Sequence, residues 1–182
     1  ALPAAQIRLW LDDFVPGPAD EQLEIGELAL QQNNFDEARE AFDRALTLKP
    51  NFGKALLGLA RVFEQQGNIT EALGRLSQIS IIDKDELANK ISALQLRLES
   101  KQSGGLEDAR RHLQENPDDL SSQIQLGKAL AAKEEHQKAL EAFLEVVRRD
   151  KKEHRDNARK AMIEVFQILG NEHPLTSEYR SQ

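Results

Sequence analysis

The chain has 182 residues, 40% of them apolar and 30% charged, with a formal net charge of -7 at pH 7. It contains no cysteine, which excludes a disulfide framework, a thiolate metal site and thiol chemistry. No run approaches about eighteen consecutive apolar residues and no basic-then-apolar leader opens the chain, so neither a membrane span nor a signal peptide is expected, and a cytoplasmic location is the default.

Residues 1–18 read as an N-terminal capping or linker segment. A short amphipathic stretch there brings together Trp10, Leu11 and Phe14 and is closed by Pro16-Gly17-Pro18. These side chains are too apolar to be left in water. The plainer expectation is a lid over the elements that follow, the sharper one a hinge to a further domain.

From residue 19 a periodicity takes over. Gly26, Phe35, Ala38 and Phe42 recur 34 residues later as Ala60, Ile69, Ala72 and Leu76, and again as Gly127, His136, Ala139 and Phe143, displaced by 101 residues from the first set. A fixed step of this length marks a helix-turn-helix array in which no unit buries its apolar face alone. Small residues let two backbones approach, and the large ones fill the space between one helix pair and the next. Residues 19–153 therefore read as four units, 19–52, 53–86, 87–119 and 120–153. The third is degenerate, because Ser103-Gly104-Gly105 interrupts it and leaves only Leu106 to Glu115 before Asn116-Pro117. A short second helix and a local kink are expected there. As a phosphate cradle, Ser103-Gly104-Gly105 lacks a following Lys-Ser/Thr and a preceding strand, so it reads as a turn. Residues 154–182 read as C-terminal capping helices: Arg155 to Leu169, stopped by Gly170, and a short one from Leu175 to Tyr179.

The first copy, with Ile25-Gly26, Ala29, Phe35, Ala38, Phe42, Ala45 and Pro50, resembles the tetratricopeptide repeat. The fold expected is therefore all-α, a tetratricopeptide-repeat superhelix of antiparallel helix pairs with capping helices at both ends. A wider likeness runs over essentially the whole chain. Ile7-Arg8-x-Trp10-Leu11-Asp12, Leu113-x-x-Asn116-Pro117-x-Asp119, Ile168-Leu169-Gly170 and Ser177-Glu178-Tyr179-Arg180 resemble the C-terminal region of bacterial thioredoxin-tetratricopeptide proteins of the YbbN or CnoX type. That resemblance implies an upstream thioredoxin-like domain and a chaperone holdase that passes clients to the DnaK and GroEL systems. With no Cys-x-x-Cys here, any redox part of that activity cannot reside in this chain.

In such an array the first helices of successive pairs line a groove. The places that would face it are Leu23, Glu27 and Leu30, then Leu57, Arg61 and Glu64, then Ile124, Lys128 and Ala131. Leu23 and Glu27 stand where a carboxylate-gripping subclass of these repeats carries Lys and Asn, so clamping of a peptide terminus is not expected. A mixed apolar and charged lining suits an amphipathic or unfolded segment, or else is simply a solvated face.

Charge is uneven along the chain. Residues 1–45 hold ten acids against three bases, whereas residues 148–160 hold seven bases against three acids. Those bases, Arg148, Arg149, Lys151, Lys152, Arg155, Arg159 and Lys160, form a possible docking patch for an acidic protein, or a solvated face. No aromatic residue is interleaved among them, so nucleic-acid binding is not expected, and no membrane partner is either. His112, His136, His154 and His173 are dispersed, which points to no metal, no cofactor and no catalytic constellation. The functional expectation is a non-enzymatic interaction module of a chaperone-like protein that binds unfolded clients or chaperone partners. The alternative is a passive assembly scaffold for one fixed partner.

Overall fold

A computed structural model describes residues 16–150 and 152–182, without the side chains of 81, 82, 85 and 153. Trp10, Leu11, Phe14 and Lys151 lie outside the described residues. Every regular element among those described is an α-helix: α1 (Pro18–Gln31), α2 (Phe35–Leu48), α3 (Gly53–Gln65), α4 (Ile69–Ser77), α5 (Ile81–Gln102), α6 (Gly105–Glu115), α7 (Leu120–Ala132), α8 (His136–Arg149), α9 (Glu153–Leu169) and α10 (Pro174–Arg180). They form two compact units, with the division between Lys84 and Asp85.

The periodicity is visible as hairpins closed by one repeated turn. Asn33, Gly67 and Glu134, which follow α1, α3 and α7, all take positive φ, at 61°, 77° and 63°. In each turn the next amide reaches back five residues: Asn34 N–H to the Ala29 carbonyl (2.9 Å), Asn68 to Phe63 (2.9 Å) and Glu135 to Leu130 (3.0 Å). The left-handed residue itself donates three residues back, to Leu30, Glu64 and Ala131. This pair of bonds satisfies the last carbonyls of a helix and reverses the chain within three residues, so that α2, α4 and α8 fold back onto their partners. Each of these second helices begins on the marked aromatic, aliphatic or histidine position, Phe35, Ile69 or His136.

Packing follows the small and large alternation. Ala38, Phe42 and Ala45 of α2, and Ala139, Phe143 and Val146 of α8, are fully buried. Ten of the thirteen residues of α3 are buried, all but Lys54, Arg61 and Gln65 on one polar stripe, which makes it the central helix of its unit. In the second unit one core joins Leu96 of α5, Leu130 of α7, Leu140 and Phe143 of α8, Val165 and Phe166 of α9, and Tyr179 of α10.

The structure departs from the periodic reading between the second and third copies. Helix α4 has 9 residues, against 14 in α2 and α8, and α5 begins at Ile81 and runs for 22. The cause is local. Ser80 Oγ accepts from the Asp83 amide (3.3 Å) and donates to the Asp83 carboxylate (2.8 Å), an N-terminal cap that starts a helix six residues before a strict repeat would. The short second helix of the third copy is α6, 11 residues long. Ser103-Gly104-Gly105 is a turn, with Gly104 and Gly105 at φ 87° and 78°. Helix α9 ends as the sequence predicts, at Gly170 with φ 86°, although it starts two residues earlier than expected.

Candidate functional site

In the first unit Glu27 of α1 and Arg61 of α3, one repeat apart, are joined by a forked ion pair, with Nη1 at 3.0 Å from Oε1 and 2.7 Å from Oε2. Both side chains are little more than a third exposed. The acid that stands where a carboxylate-gripping repeat carries a donor is therefore already matched by a cation. Leu23 is half-buried, while Leu30, Leu57 and Glu64 are buried, at 6 to 7% exposure. These three do not offer an open lining. Offset within the repeat gave their direction, but not the burial of Leu57 and Glu64 on α3.

The second unit holds a cleft of about 470 Å³ between α5, α7 and α9. Each helix contributes residues spaced three or four apart, which places them on one face. Gln95 and Glu99 come from α5, Ser121, Ile124, Gln125 and Lys128 from α7, and His154, Asn157, Lys160, Ala161 and Glu164 from α9. Ile124 and Ala161, 6% and 2% exposed, are buried and give the cleft its apolar floor. Ser92 Oγ of α5 donates to Gln167 Oε1 of α9 at 2.6 Å and ties two of the three helices together.

The polar groups in this cleft are unequally provided for. Lys128 Nζ pairs with Glu99, and Gln95 Nε2 donates to the other Glu99 oxygen at 3.0 Å. Glu164 Oε2 is shut off from solvent with no hydrogen-bond partner among the described residues. Burial, reinforced by the nearby Glu99 charge and opposed by Lys128, pushes the Glu164 carboxyl up to about 7. A carboxyl at that value is divided between its two forms at neutral pH.

The described bases of the 148–160 stretch do not all face one way. Arg148 donates to Gln182 Oε1 (3.0 Å), Arg149 pairs with Asp118 (2.7 Å), and Arg155 lies 3.4 Å from Asp156. Lys152 and Arg159 are exposed. Lys160 stands about 100° round α9 from Arg159 and belongs to the cleft. The structure thus brings together Ile124, Lys128 and Lys160, which the sequence assigned to two separate surfaces.

His136 fills the packing position of its repeat. It is half-buried, its Nδ1 atom has no partner among the described residues, and burial holds its imidazole below the ordinary value, with neighbouring Glu134 opposing and His173 adding to the depression. His173 caps α10 by accepting from the Leu175 amide (3.2 Å), and His154 meets the Asp150 carboxylate at 3.0 Å. No group of three or more metal-ligating side chains is assembled among the described residues. Nor is any described helix long and apolar enough to cross a membrane.

Sequence reasoning missed Glu99 and Glu164, the two acids on which the cleft turns. The signal for Glu164 was its place on α9 one turn from Lys160, on the face opposite the apolar stripe of Met162 and Phe166. For Glu99 there was none, because α5 is out of register with the repeat.

Sequence models of the tetratricopeptide repeat match residues 23–78 and residues 99–182. These segments hold nearly all of α1 to α4 and, after the end of α5, all of α6 to α10. No curated protein matches the chain. The fold is the all-α tetratricopeptide one, built of helix pairs.

Proposed function

We propose that this tetratricopeptide-repeat chain is the protein-binding part of a chaperone-like protein, a holdase or co-chaperone that takes up unfolded clients or engages the chaperone machinery without catalysing a reaction. Tetratricopeptide repeats are protein-protein interaction modules, and the proposal adds the kind of partner. The observation that carries it is the α5–α7–α9 cleft. An apolar floor under polar walls with incompletely matched groups suits an extended segment that brings both side chains and main-chain donors. Exposed Ile25 and Leu28 on α1, at 43% and 56%, offer a second apolar contact in the other unit. The likeness to thioredoxin-tetratricopeptide proteins points the same way and brings with it a thioredoxin-like domain upstream.

The second reading, a scaffold for one fixed partner, draws on the ion pairs that organise the cleft, since fixed polar groups select more than they accommodate. Aggregation assays separate the two. As a holdase, the chain suppresses light scattering by several unrelated unfolding proteins at near-stoichiometric amounts. As a scaffold it suppresses none of them.

A further inference from the structure

The α5–α7–α9 cleft lacks one thing, and its chemistry says what. The two donors at its base are both spent on a single acid, because Lys128 and Gln95 each serve Glu99. Glu164, across the same cleft, has an enclosed oxygen that no donor among the described residues reaches. From the geometry we infer that a partner segment inserts a lysine or arginine side chain into this cleft, where Glu164 receives it. The inference rests on the protein-binding reading above and names the class of side chain that reading leaves open.

Three observations favour a cation over an anion. First, the unmet group is an acceptor, and an acceptor buried without a donor is costly until one arrives. Second, the cationic group facing Glu164 from α7, Lys128, is committed to Glu99, so an incoming carboxylate would have to compete for it. Third, Glu99 from α5 repels the charged form of Glu164, and an inserted ammonium or guanidinium would relieve that repulsion from both acids. Lys160 and His154 on α9 itself line the same cleft. His154 is engaged by Asp150, and Lys160, one turn before Glu164, is exposed and leaves the enclosed Glu164 oxygen unmet.

Binding of this kind is linked to protons. Near neutral pH Glu164 carries a proton part of the time, and a cation can pair only with its ionised form. A cationic segment therefore drives a proton off and binds more tightly as pH rises from 6 to 8. An anionic segment would draw a proton on and bind more tightly as pH falls.

The test is a carbon-detected NMR titration of the Glu164 carboxyl in the full chain, alone and with millimolar amounts of three extended seven-residue peptides that differ at one central position: lysine, norleucine or glutamate. The lysine peptide is expected to lower the Glu164 midpoint by one unit or more, while norleucine leaves it in place. Glu164→Gln, which keeps the side-chain shape, is expected to weaken the lysine peptide at least tenfold at pH 8. An unmoved or raised midpoint with the lysine peptide, or equal binding by the Gln variant, overturns the inference. So does a lowered midpoint with norleucine, or tighter binding of the glutamate peptide. If aggregation of unfolding proteins is still suppressed when the lysine peptide leaves Glu164 unmoved, the protein-binding reading survives and only the cation site is lost.

Discussion

The ring of Phe42 lies so close against Gly26 that a β-carbon there would come within 2.5 Å of ring atom Cε1. A β-carbon on Gly58 of α3 would come equally close to the same ring, 2.5 Å from Cζ. A single side chain on α2 thus fills the space that two glycines, on α1 and α3, leave open, and links one helix pair to the next. Gly127 and Phe143 repeat the first of these contacts in the second unit, again at Cε1.

This packing sets the first prediction. Phe42→Ala or Phe143→Ala is expected to cost about 3 to 5 kcal/mol in chemical denaturation, because each ring is fully buried and its space cannot collapse onto glycine. Gly26→Val, which has no room, is expected to cost at least about 1 to 3 kcal/mol. A loss below about 1 kcal/mol for either alanine variant would contradict the repeat register.

The turn residues give a second prediction. Glu134 holds φ 63°, a left-handed conformation that costs a side-chain-bearing residue about 1 kcal/mol or more, whereas Gly67 occupies the equivalent place at no such cost. Glu134→Gly is expected to stabilise the chain by about 0.5 to 1 kcal/mol without change in helical content. Asn33→Gly should gain less, since Asn tolerates this region well.

The buried acid in the cleft makes stability pH-dependent with a definite sign. Glu164 rises from an ordinary 4.5 to about 7 in the folded chain, so between those values the folded state binds more proton than the unfolded one, and stability falls as pH rises through the window. Glu164→Gln removes the cost of the buried charge. It is expected to be more stable than the parent at pH 8 by about 1 to 2 kcal/mol, a figure already reduced for solvent screening, and equal to it near pH 4.5. Denaturant midpoints at the two pH values measure this directly.

His136 has the opposite behaviour. Burial depresses its imidazole below the ordinary 6.5, so the unfolded state takes up the proton first and the chain loses stability as pH falls through 6.5. His136→Phe, restoring the side chain that the first repeat carries at this place, is expected to raise the thermal midpoint, and by more at pH 5.5 than at pH 8. An equal gain at both would mean that the imidazole is not held neutral by burial.

The repeat was legible in the sequence because its marked positions each have a single packing role. Gly26, Ala38 and Phe42 fix the first hairpin, and their equivalents at Gly127, Ala139 and Phe143 fix another, whatever surrounds them. The third copy was less legible because a local interaction outranked the period, when Ser80 and Asp83 started α5 early. The binding surface was least legible. A repeat position gives the direction of a side chain but not what covers it, so Leu57 and Ile124, offered as groove contacts, are buried at 6%. Serine at either would test folding and not binding. The cleft acids Glu99 and Glu164 depend on α5 and α9 approaching α7, a relation between helices that no spacing within one of them encodes.

The α5–α7–α9 cleft is the proposed seat of a partner segment. Its most direct measurement is amide hydrogen exchange of the full chain with and without a reduced, alkylated and therefore permanently unfolded protein as client. Slowed exchange is expected in α5 around Gln95 and Glu99, in α7 from Ser121 to Lys128 and in α9 from His154 to Glu164, with the slowing diminished by Glu164→Gln. Slowing confined to α1 and α2 around Ile25 and Leu28, with these three segments unchanged, would contradict this placement.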